Sequence, residues 1–220
     1  MDWLEFWTIC SANSIVMDKD QIDDIKRYAG ELQIWNQKVN LISRKDEDNI
    51  PIRHILHSLT YLKYYSIPQK ATCLDVGTGG GLPGIPLSLA RPDLNMTLVD
   101  SIAKKMKVTS MLADHTGRKK IRTICSRAED LSANKQHRYR YDIVFARAVK
   151  RMERVIDWVK PLLKKNGKVV FYKGGDLSEE IEEAKKIFPK LFVEERDIDV
   201  IGIDWFKKEE KKLIVCSFVT

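Results

Sequence analysis

The 220-residue sequence is poor in cysteine, proline and glycine, and it contains no long apolar run. Only 7 Pro and 11 Gly, beside 44% hydrophobic residues, exclude collagen-like and disordered classes. The four cysteines form no CxxC pair, which excludes zinc knuckles and thioredoxin-type motifs. Cys73, Cys125 and Cys216 lie in apolar runs, so we expect buried thiols.

No run reaches the roughly 20 apolar residues of a membrane helix. The first basic residue is Lys19, unlike in a secretory signal. We expect a soluble, cytoplasmic protein.

The basic residues are concentrated in the middle of the chain. Residues 101–173 hold 20 Lys and Arg against 6 Asp and Glu, whereas residues 1–50 and 174–220 each have a net charge of −4. A positive face of this kind would attract a polyanion such as a nucleic acid. The alternative is that these lysines and arginines are only solvated helix surface, and the charge alone leaves both interpretations open.

Hydrophobic periodicity predicts a helical extension followed by an α/β domain. An apolar stripe at spacings of three and four over 18–39, capped by Asp18 or Asp20, indicates one helix, and residues 53–65 indicate another. Residues 40–51 between them are interpreted as a polar linker. From Ala71 onward, short apolar runs alternate with amphipathic stretches, which is typical of a parallel, doubly wound sheet. The predicted strands are 71–76, 96–100, 121–125, 141–146, 168–172, 191–201 and 211–219, the last two forming an antiparallel hairpin. The predicted domains are 1–66 and 67–220.

A glycine-rich loop joins the first predicted strand to the next helix. The loop reads Gly77-Thr78-Gly79-Gly80-Gly81-Leu82-Pro83-Gly84. Its glycines let the backbone approach a ligand closely at the positive end of a helix. Gly79, Gly81 and Gly84 satisfy GxGxxG, with Asp100 at the end of the second strand, as a dinucleotide site requires. The run Asp75-Val76-Gly77-x-Gly79-x-Gly81 also resembles motif I of S-adenosylmethionine-dependent methyltransferases, in which Asp100 would bind the ribose hydroxyls. No GxxxxGK[ST] is present, which excludes a Walker site.

Later segments favour methyl transfer over a nicotinamide-dependent reaction. The segment PLLKKNGKVVFYKGG resembles the entry to the fifth strand of many Rossmann-like methyltransferases, and the closing hairpin fits the same class. A nicotinamide enzyme would usually need a second domain for its substrate, and too little chain remains for one. We therefore expect an α/β, Rossmann-like methyltransferase fold with a seven-stranded, mostly parallel sheet, an antiparallel last strand and an N-terminal helical extension.

Several blocks in order resemble one family more closely. DVGTGGGLPGIPLSLARP, SRAED at 126–130, YDIVFARAV at 141–149 and YKGG at 172–175 are similar to the 16S ribosomal RNA guanine-N7 methyltransferases, also called the glucose-inhibited-division B family. Segments of the helical extension from Trp35 to Ile42 and from Arg53 to Leu59 resemble the same family. The resemblance covers about residues 30–190. It implies S-adenosylmethionine as cofactor and 16S ribosomal RNA, or the small ribosomal subunit, as partner of a monomeric enzyme.

The resemblance also implies roles for individual residues. The cofactor site would include Gly77, Thr78, Gly79, Leu82, Asp100, Ala128, Glu129 and Arg147. Arg147 and Lys173 follow buried strands at the edge of the sheet where α/β proteins bind ligands, so we assign both to the catalytic site. Arg127, Lys150 and Arg151 are candidates for binding RNA phosphates, although such residues are more often only solvated.

No general base stands out in the sequence, which is consistent with a ring nitrogen as acceptor. N7 of guanine carries its own lone pair, so the enzyme would need to supply only alignment and a dry pocket. His54 and His57 share a helix face, but no further ligand lies nearby, and we favour packing or RNA contact over a metal site. The alternatives are a methyltransferase for another RNA or a small molecule, an NAD-dependent oxidoreductase, and a non-catalytic RNA-binding module.

Overall fold

A computed structural model describes residues 1–218 and shows one seven-stranded sheet. The strand order is β3-β2-β1-β4-β5-β7-β6, and the last strand is antiparallel to both of its neighbours. This arrangement confirms the predicted α/β fold and the closing hairpin. The predicted last strand reaches Val219, which lies outside the described residues. The strands are β1 (Thr72–Val76), β2 (Asn95–Asp100), β3 (Ile121–Cys125), β4 (Tyr141–Arg147), β5 (Leu163–Gly174), β6 (Leu191–Asp197) and β7 (Lys211–Phe218).

Helices cover both faces of the sheet. On one face α2 packs against α4 and α5, and on the other α7 packs against α6 and α8. Buried residues of the N-terminal helices and of the sheet belong to one continuous core, and the domain boundary after residue 66 stays a prediction. In the part of the chain that the structure describes, no helix combines the length and apolarity needed to cross a membrane. The α-helices are α1 (Trp3–Ala12), α2 (Lys19–Asn36), α3 (His57–Tyr64), α4 (Gly84–Ala90), α5 (Ala103–His115), α6 (Ala128–Ala133), α7 (Met152–Val159), α8 (Ser178–Ile187) and α9 (Trp205–Lys208).

The region between α2 and α3 differs from its prediction as a polar linker. Helix α2 begins with a capping box on Asp18 and ends at Asn36, three residues earlier than predicted. The Asn36 side-chain oxygen accepts hydrogen bonds from the backbone N–H groups of Leu41 and Ile42, at 2.7 and 2.9 Å, and so turns the chain. Both residues are buried. A 3-10 helix (Arg44–Asn49) and a π-helical turn (Pro51–Leu56) then lead into α3.

The prediction that Cys125 is buried was wrong. Cys73 and Cys216 are buried, as expected, but Cys125 is exposed. It ends β3, which lies at the edge of the sheet and is only partly covered. An apolar run therefore indicates a strand, whereas the position of that strand in the sheet determines how far its side chains are buried.

Candidate active site

The glycine loop adopts a backbone that only glycine accommodates readily. Gly77 and Gly79 have φ values of +66° and +55°, in the left-handed region. A Cβ at position 77 would lie 2.8 Å from Cγ2 of Val149, well inside van der Waals contact. The loop thus runs close to the segment after β4, at the carboxyl ends of the two central strands, where an open α/β sheet forms its ligand crevice.

Asp75, in the strand that precedes the glycine loop, binds the loop through hydrogen bonds. Its Oδ2 accepts hydrogen bonds from the Thr78 hydroxyl at 2.6 Å and from the Gly84 backbone N–H at 2.9 Å, whereas its buried Oδ1 has no partner among the described residues. The side chain is fully buried. Burial raises the pKa of Asp75 from 3.8 to about 7, against the opposing effect of these two donors.

Asp100, at the end of β2, is bound to the same loop. Its Oδ2 accepts a hydrogen bond from the Gly79 backbone N–H at 3.1 Å, and its Oδ1 accepts one from Ile102 N–H at 2.9 Å. Each carboxylate oxygen retains a lone-pair site for a further donor. The fixed carboxylate can therefore receive hydroxyl groups of a ligand.

The N-terminal extension covers the glycine loop from the other side. The Tyr28 hydroxyl donates to the Gly80 carbonyl at 2.9 Å, and the Thr109 hydroxyl of α5 donates to the Gly79 carbonyl at 2.5 Å. A Cβ at position 80 would lie 2.6 Å from Cδ1 of Leu32. Helix α2 thus packs directly on the loop, and α2 and α5 each bind one of its carbonyl groups.

Two adjoining cavities lie at this edge of the sheet, one of about 630 Å³ and one of about 240 Å³. Gly77, Asp100 and Val149 line both. The cofactor residues predicted from sequence are divided between them. The larger cavity is lined by Gly77, Thr78, Gly79, Leu82, Asp100 and Arg147, together with the predicted catalytic residue Lys173. The smaller is lined by Gly77, Asp100, Ala128 and Glu129, together with the predicted RNA contacts Arg127 and Lys150.

Arg147 is joined to His54, a partner that the sequence did not indicate. Its Nη2 donates to Nδ1 of His54 at 2.9 Å, and its Nη1 contacts the His54 carbonyl oxygen at 3.3 Å. Burial, and then the nearby guanidinium, lower the pKa of His54 to about 3, so the imidazole is neutral and Nδ1 is free to accept. A guanidinium has five N–H donors, so Arg147, which lines the larger cavity, retains further donors after these two contacts.

Lys173 and Arg151 are held by carboxylates. The ammonium of Lys173 lies 2.5 Å from Oε1 of Glu180. Arg151 is the N-cap residue of α7, pairs with Glu153 at 3.2 Å and lines neither of the two cavities described above. It lies instead in a neighbouring cavity of about 430 Å³ that Lys173 also lines.

The larger cavity has a wall that sequence reasoning missed. One part of this wall is the supposed linker from Asn40 to Ser43. The other is an aromatic cluster in which the rings of His57 and Trp205 meet edge-on, with their centres 5.7 Å apart. The guanidinium of Arg53 lies 5.7 Å from the centre of the Trp205 ring. The apolar pair Leu41 and Ile42 at the start of the polar linker was the available signal for the first segment. Among residues 1–218, no group of three or more His, Cys, Asp or Glu side chains is arranged to hold a metal ion.

Comparisons with known proteins point to one family and one fold. A family model described as rRNA small subunit methyltransferase G matches residues 21–204. Over 178 residues the chain is 40% identical to the ribosomal RNA small subunit methyltransferase G of Christiangramia forsetii, a match that covers 77% of this chain and 81% of the relative.

Solved structures with low sequence identity share the fold. A ribosomal protein L11 methylase from Lactobacillus delbrueckii subsp. bulgaricus matches with a TM-score of 0.54 at 18% identity, covering 75% of this chain and 77% of that one. A SAM-dependent methyltransferase from Aquifex aeolicus matches with a TM-score of 0.54 at 14% identity, covering 74% and 89%. These similarities show that the chain shares its fold with both proteins.

Proposed function

Because the chain belongs to the rRNA small subunit methyltransferase G family, we propose that it transfers a methyl group to N7 of a guanine in small-subunit ribosomal RNA. The chain is a methyltransferase, and its methyl donor is S-adenosylmethionine. Two cavities meet at Gly77 and Asp100, at the carboxyl edge of the sheet, and this observation is the main support for placing the cofactor and acceptor sites there.

The residues present fit this cofactor. The smaller cavity, with Ala128 and Glu129, would hold the adenine, and Asp100 at the junction would accept the ribose hydroxyls. The methionine part would lie under the loop beside Gly77, with Arg147 supplying its remaining N–H donors to the carboxylate. When bound, S-adenosylmethionine supplies an electrophilic methyl group on a sulfonium sulfur.

The larger cavity suits an acceptor that needs no proton removed. N7 of guanine has its own lone pair, so alignment and exclusion of water are what the protein must provide. The pKa values of His54 and His57 are lowered by burial, which keeps both imidazoles uncharged at neutral pH. We propose that the ring of Trp205 contacts the guanine base. Arg147 and Lys173 would lie next to the reacting atoms. The Lys173 ammonium is positioned by Glu180.

The proposed acceptor also limits how RNA can be presented. The major groove of an A-form helix is deep and narrow and hides N7, so the target must be a splayed or irregular base. Arg127, Lys150 and Arg151 lie beside the crevice and would bind phosphates of the flanking chain. We infer that the protein works as a monomer in the cytoplasm, where bacterial ribosomal RNA is assembled into subunits.

Transfer of labelled methyl to ribosomal RNA tests this function. Small-subunit RNA and small subunits from cells lacking the protein are incubated with labelled S-adenosylmethionine, and the nucleosides are identified by mass spectrometry. We expect labelled 7-methylguanosine. Label in another nucleoside would refute the N7 assignment, and binding of S-adenosylmethionine without transfer to either substrate would refute the ribosomal acceptor.

A pair of glycine variants connects the activity to the proposed cofactor site. Gly77→Ala should weaken S-adenosylmethionine binding, because its φ of +66° and the Val149 side chain leave no room for a methyl group. Gly30→Ala in α2 is the matched control, since a Cβ there would meet nothing within 4 Å. Equal cofactor affinity of the two variants by calorimetric titration would contradict the placement.

The family match disfavours the nicotinamide alternative, and a thermal shift experiment separates the two cofactors directly. A ligand that binds only the folded protein raises its melting temperature. We expect S-adenosylmethionine to raise it and NADH to leave it unchanged. The opposite result would restore the oxidoreductase interpretation of GxGxxG.

A further inference from the structure

A further, separate cavity lies at the opposite edge of the sheet. Its volume is about 780 Å³, and it is formed where β1, β2 and β4 begin. The connection from β3 to β4 crosses this face with only the six-residue α6 and a three-residue 3-10 helix (Lys135–His137), which leaves the edge strands partly uncovered. None of its lining residues lines the cofactor crevice.

The walls of this cavity are strongly basic. Lys119, Lys120, Arg122 and Arg140 line it, together with His137, and no Asp or Glu is among its described lining residues. Within residues 1–218, none of the four cations forms an ion pair with a carboxylate, in contrast to Arg151 beside the cofactor crevice. Four unpaired cations facing one concavity repel one another and favour binding of an anion.

An exposed aromatic residue directly precedes Arg140 in the chain. Tyr139, between Arg138 and Arg140 in sequence, is 71% exposed and has a φ of +52°, which a tyrosine rarely adopts. Hydrogen bonds from its backbone N–H to Pro161 O at 3.1 Å and from Arg140 N–H to Leu162 O at 2.8 Å hold the turn in place. Tyr139 is therefore fixed by its backbone while its ring is left in solvent.

We propose that this amino-edge surface, formed by Lys119, Lys120, Arg122, Arg140 and Tyr139, is a second RNA-binding site. The cations would bind backbone phosphates, and the Tyr139 ring would stack on an unpaired base. The inference rests on the proposed function, because it assigns the ligand to the same RNA that carries the methylated base. Strand β2 runs from this surface to Asp100, a distance of about 17 Å at 3.3 Å per residue. The bound RNA must therefore extend well beyond the target nucleotide.

Charge removal tests the phosphate contacts. In the full-length protein, Arg122→Gln with Arg140→Gln removes two exposed cations without breaking an ion pair. The matched control is Lys185→Gln with Lys190→Gln, which removes two exposed cations at the other end of the sheet. The Kd for small-subunit RNA is measured for both proteins at several salt concentrations. We expect the slope of log Kd against log salt to fall by about 1.4 to 1.8 relative to the control.

Two further measurements make the result decisive. Tyr139→Ala should weaken RNA binding roughly fivefold or more, and Tyr139→Phe should restore it, because stacking needs only the ring. The Kd for S-adenosylmethionine should not change in any of these variants. A salt slope equal to that of the control, or equal binding by Tyr139→Ala and wild type, would overturn the inference. If the wild-type protein itself transfers no methyl group to the RNA, the proposed function fails instead, so the two failures are distinguishable.

Discussion

The buried carboxyl of Asp75 allows a quantitative test of how the glycine loop is held. In Asp75→Asn, the amide oxygen can accept from Thr78 and Gly84 as Oδ2 does, and the amide nitrogen replaces an oxygen without a partner. The substitution therefore keeps the shape and the two hydrogen bonds and removes the titration, and the cost of burying the amide N–H groups without an acceptor does not depend on pH. Its effect on stability should depend on pH in a predictable direction.

The magnitude follows from the raised pKa. Asp75 titrates near 7 in the folded protein and near 3.8 in the unfolded chain, so folding takes up a proton between these values. Stability from this group is complete below about pH 4 and is lost as the pH rises through 7, which amounts to about 4 kcal/mol. Of this loss in the free energy of unfolding, about 3 kcal/mol occurs between pH 5 and pH 8. The asparagine variant lacks this loss and should gain that much stability relative to wild type.

Urea unfolding followed by tryptophan fluorescence at pH 5 and pH 8 measures this difference. We expect the stability of Asp75→Asn relative to wild type to rise by about 3 kcal/mol from pH 5 to pH 8. Asp176→Asn is the control, because hydrogen bonds from Ser178 lower the pKa of that exposed carboxyl and it stays ionised throughout. A stability difference between Asp75→Asn and wild type that is the same at both pH values would show that Asp75 is already ionised at pH 5, and would refute the reasoning.

Three other substitutions test separate contacts. Tyr28→Phe should cost about 1 to 3 kcal/mol of stability in urea unfolding, because the Gly80 carbonyl loses its donor; an unchanged midpoint would show that water replaces it. Phe145→Ala should cost about 3 to 5 kcal/mol in the same assay, since the ring is fully buried, and a loss below 1 kcal/mol would mean that the core collapses into the space. Arg147→Gln should weaken S-adenosylmethionine binding by about tenfold or more in calorimetric titration. A Kd equal to that of wild type would show that Arg147 does not belong to the cofactor site and that its contact with His54 is purely structural.

Local sequence patterns predicted the elements of the sheet because each pattern is set by near neighbours. Alternating and continuous apolar runs gave the seven strands within a few residues of their observed bounds, with larger differences at the start of β5 and the end of β6. Asp18 was correctly among the predicted caps of α2, since a capping box involves residues only three apart. The glycine loop was identified because a strand, a run of glycines and a helix follow one another directly along the chain.

Features that depend on distant parts of the chain were not predicted. The exposure of Cys125 follows from the place of β3 at the edge of the sheet, and strand order cannot be deduced from one strand's composition. The linker after α2 was misjudged because the burial of Leu41 depends on its packing over the glycine loop, which is distant in the sequence.

The sequence by itself determined the fold class, the family resemblance and the residues at the carboxyl ends of the strands, because these are properties of short segments read in order. Only the tertiary structure decided which side chains neutralise or support one another. Arg147 and His54 are 93 residues apart, and Lys173 meets Glu180 across a turn. The same holds for the amino-edge surface, whose cations come from the start of β3 and from the segments that precede β3 and β4. Burial and charge pairing are set by the environment that the whole chain creates, which no local pattern contains.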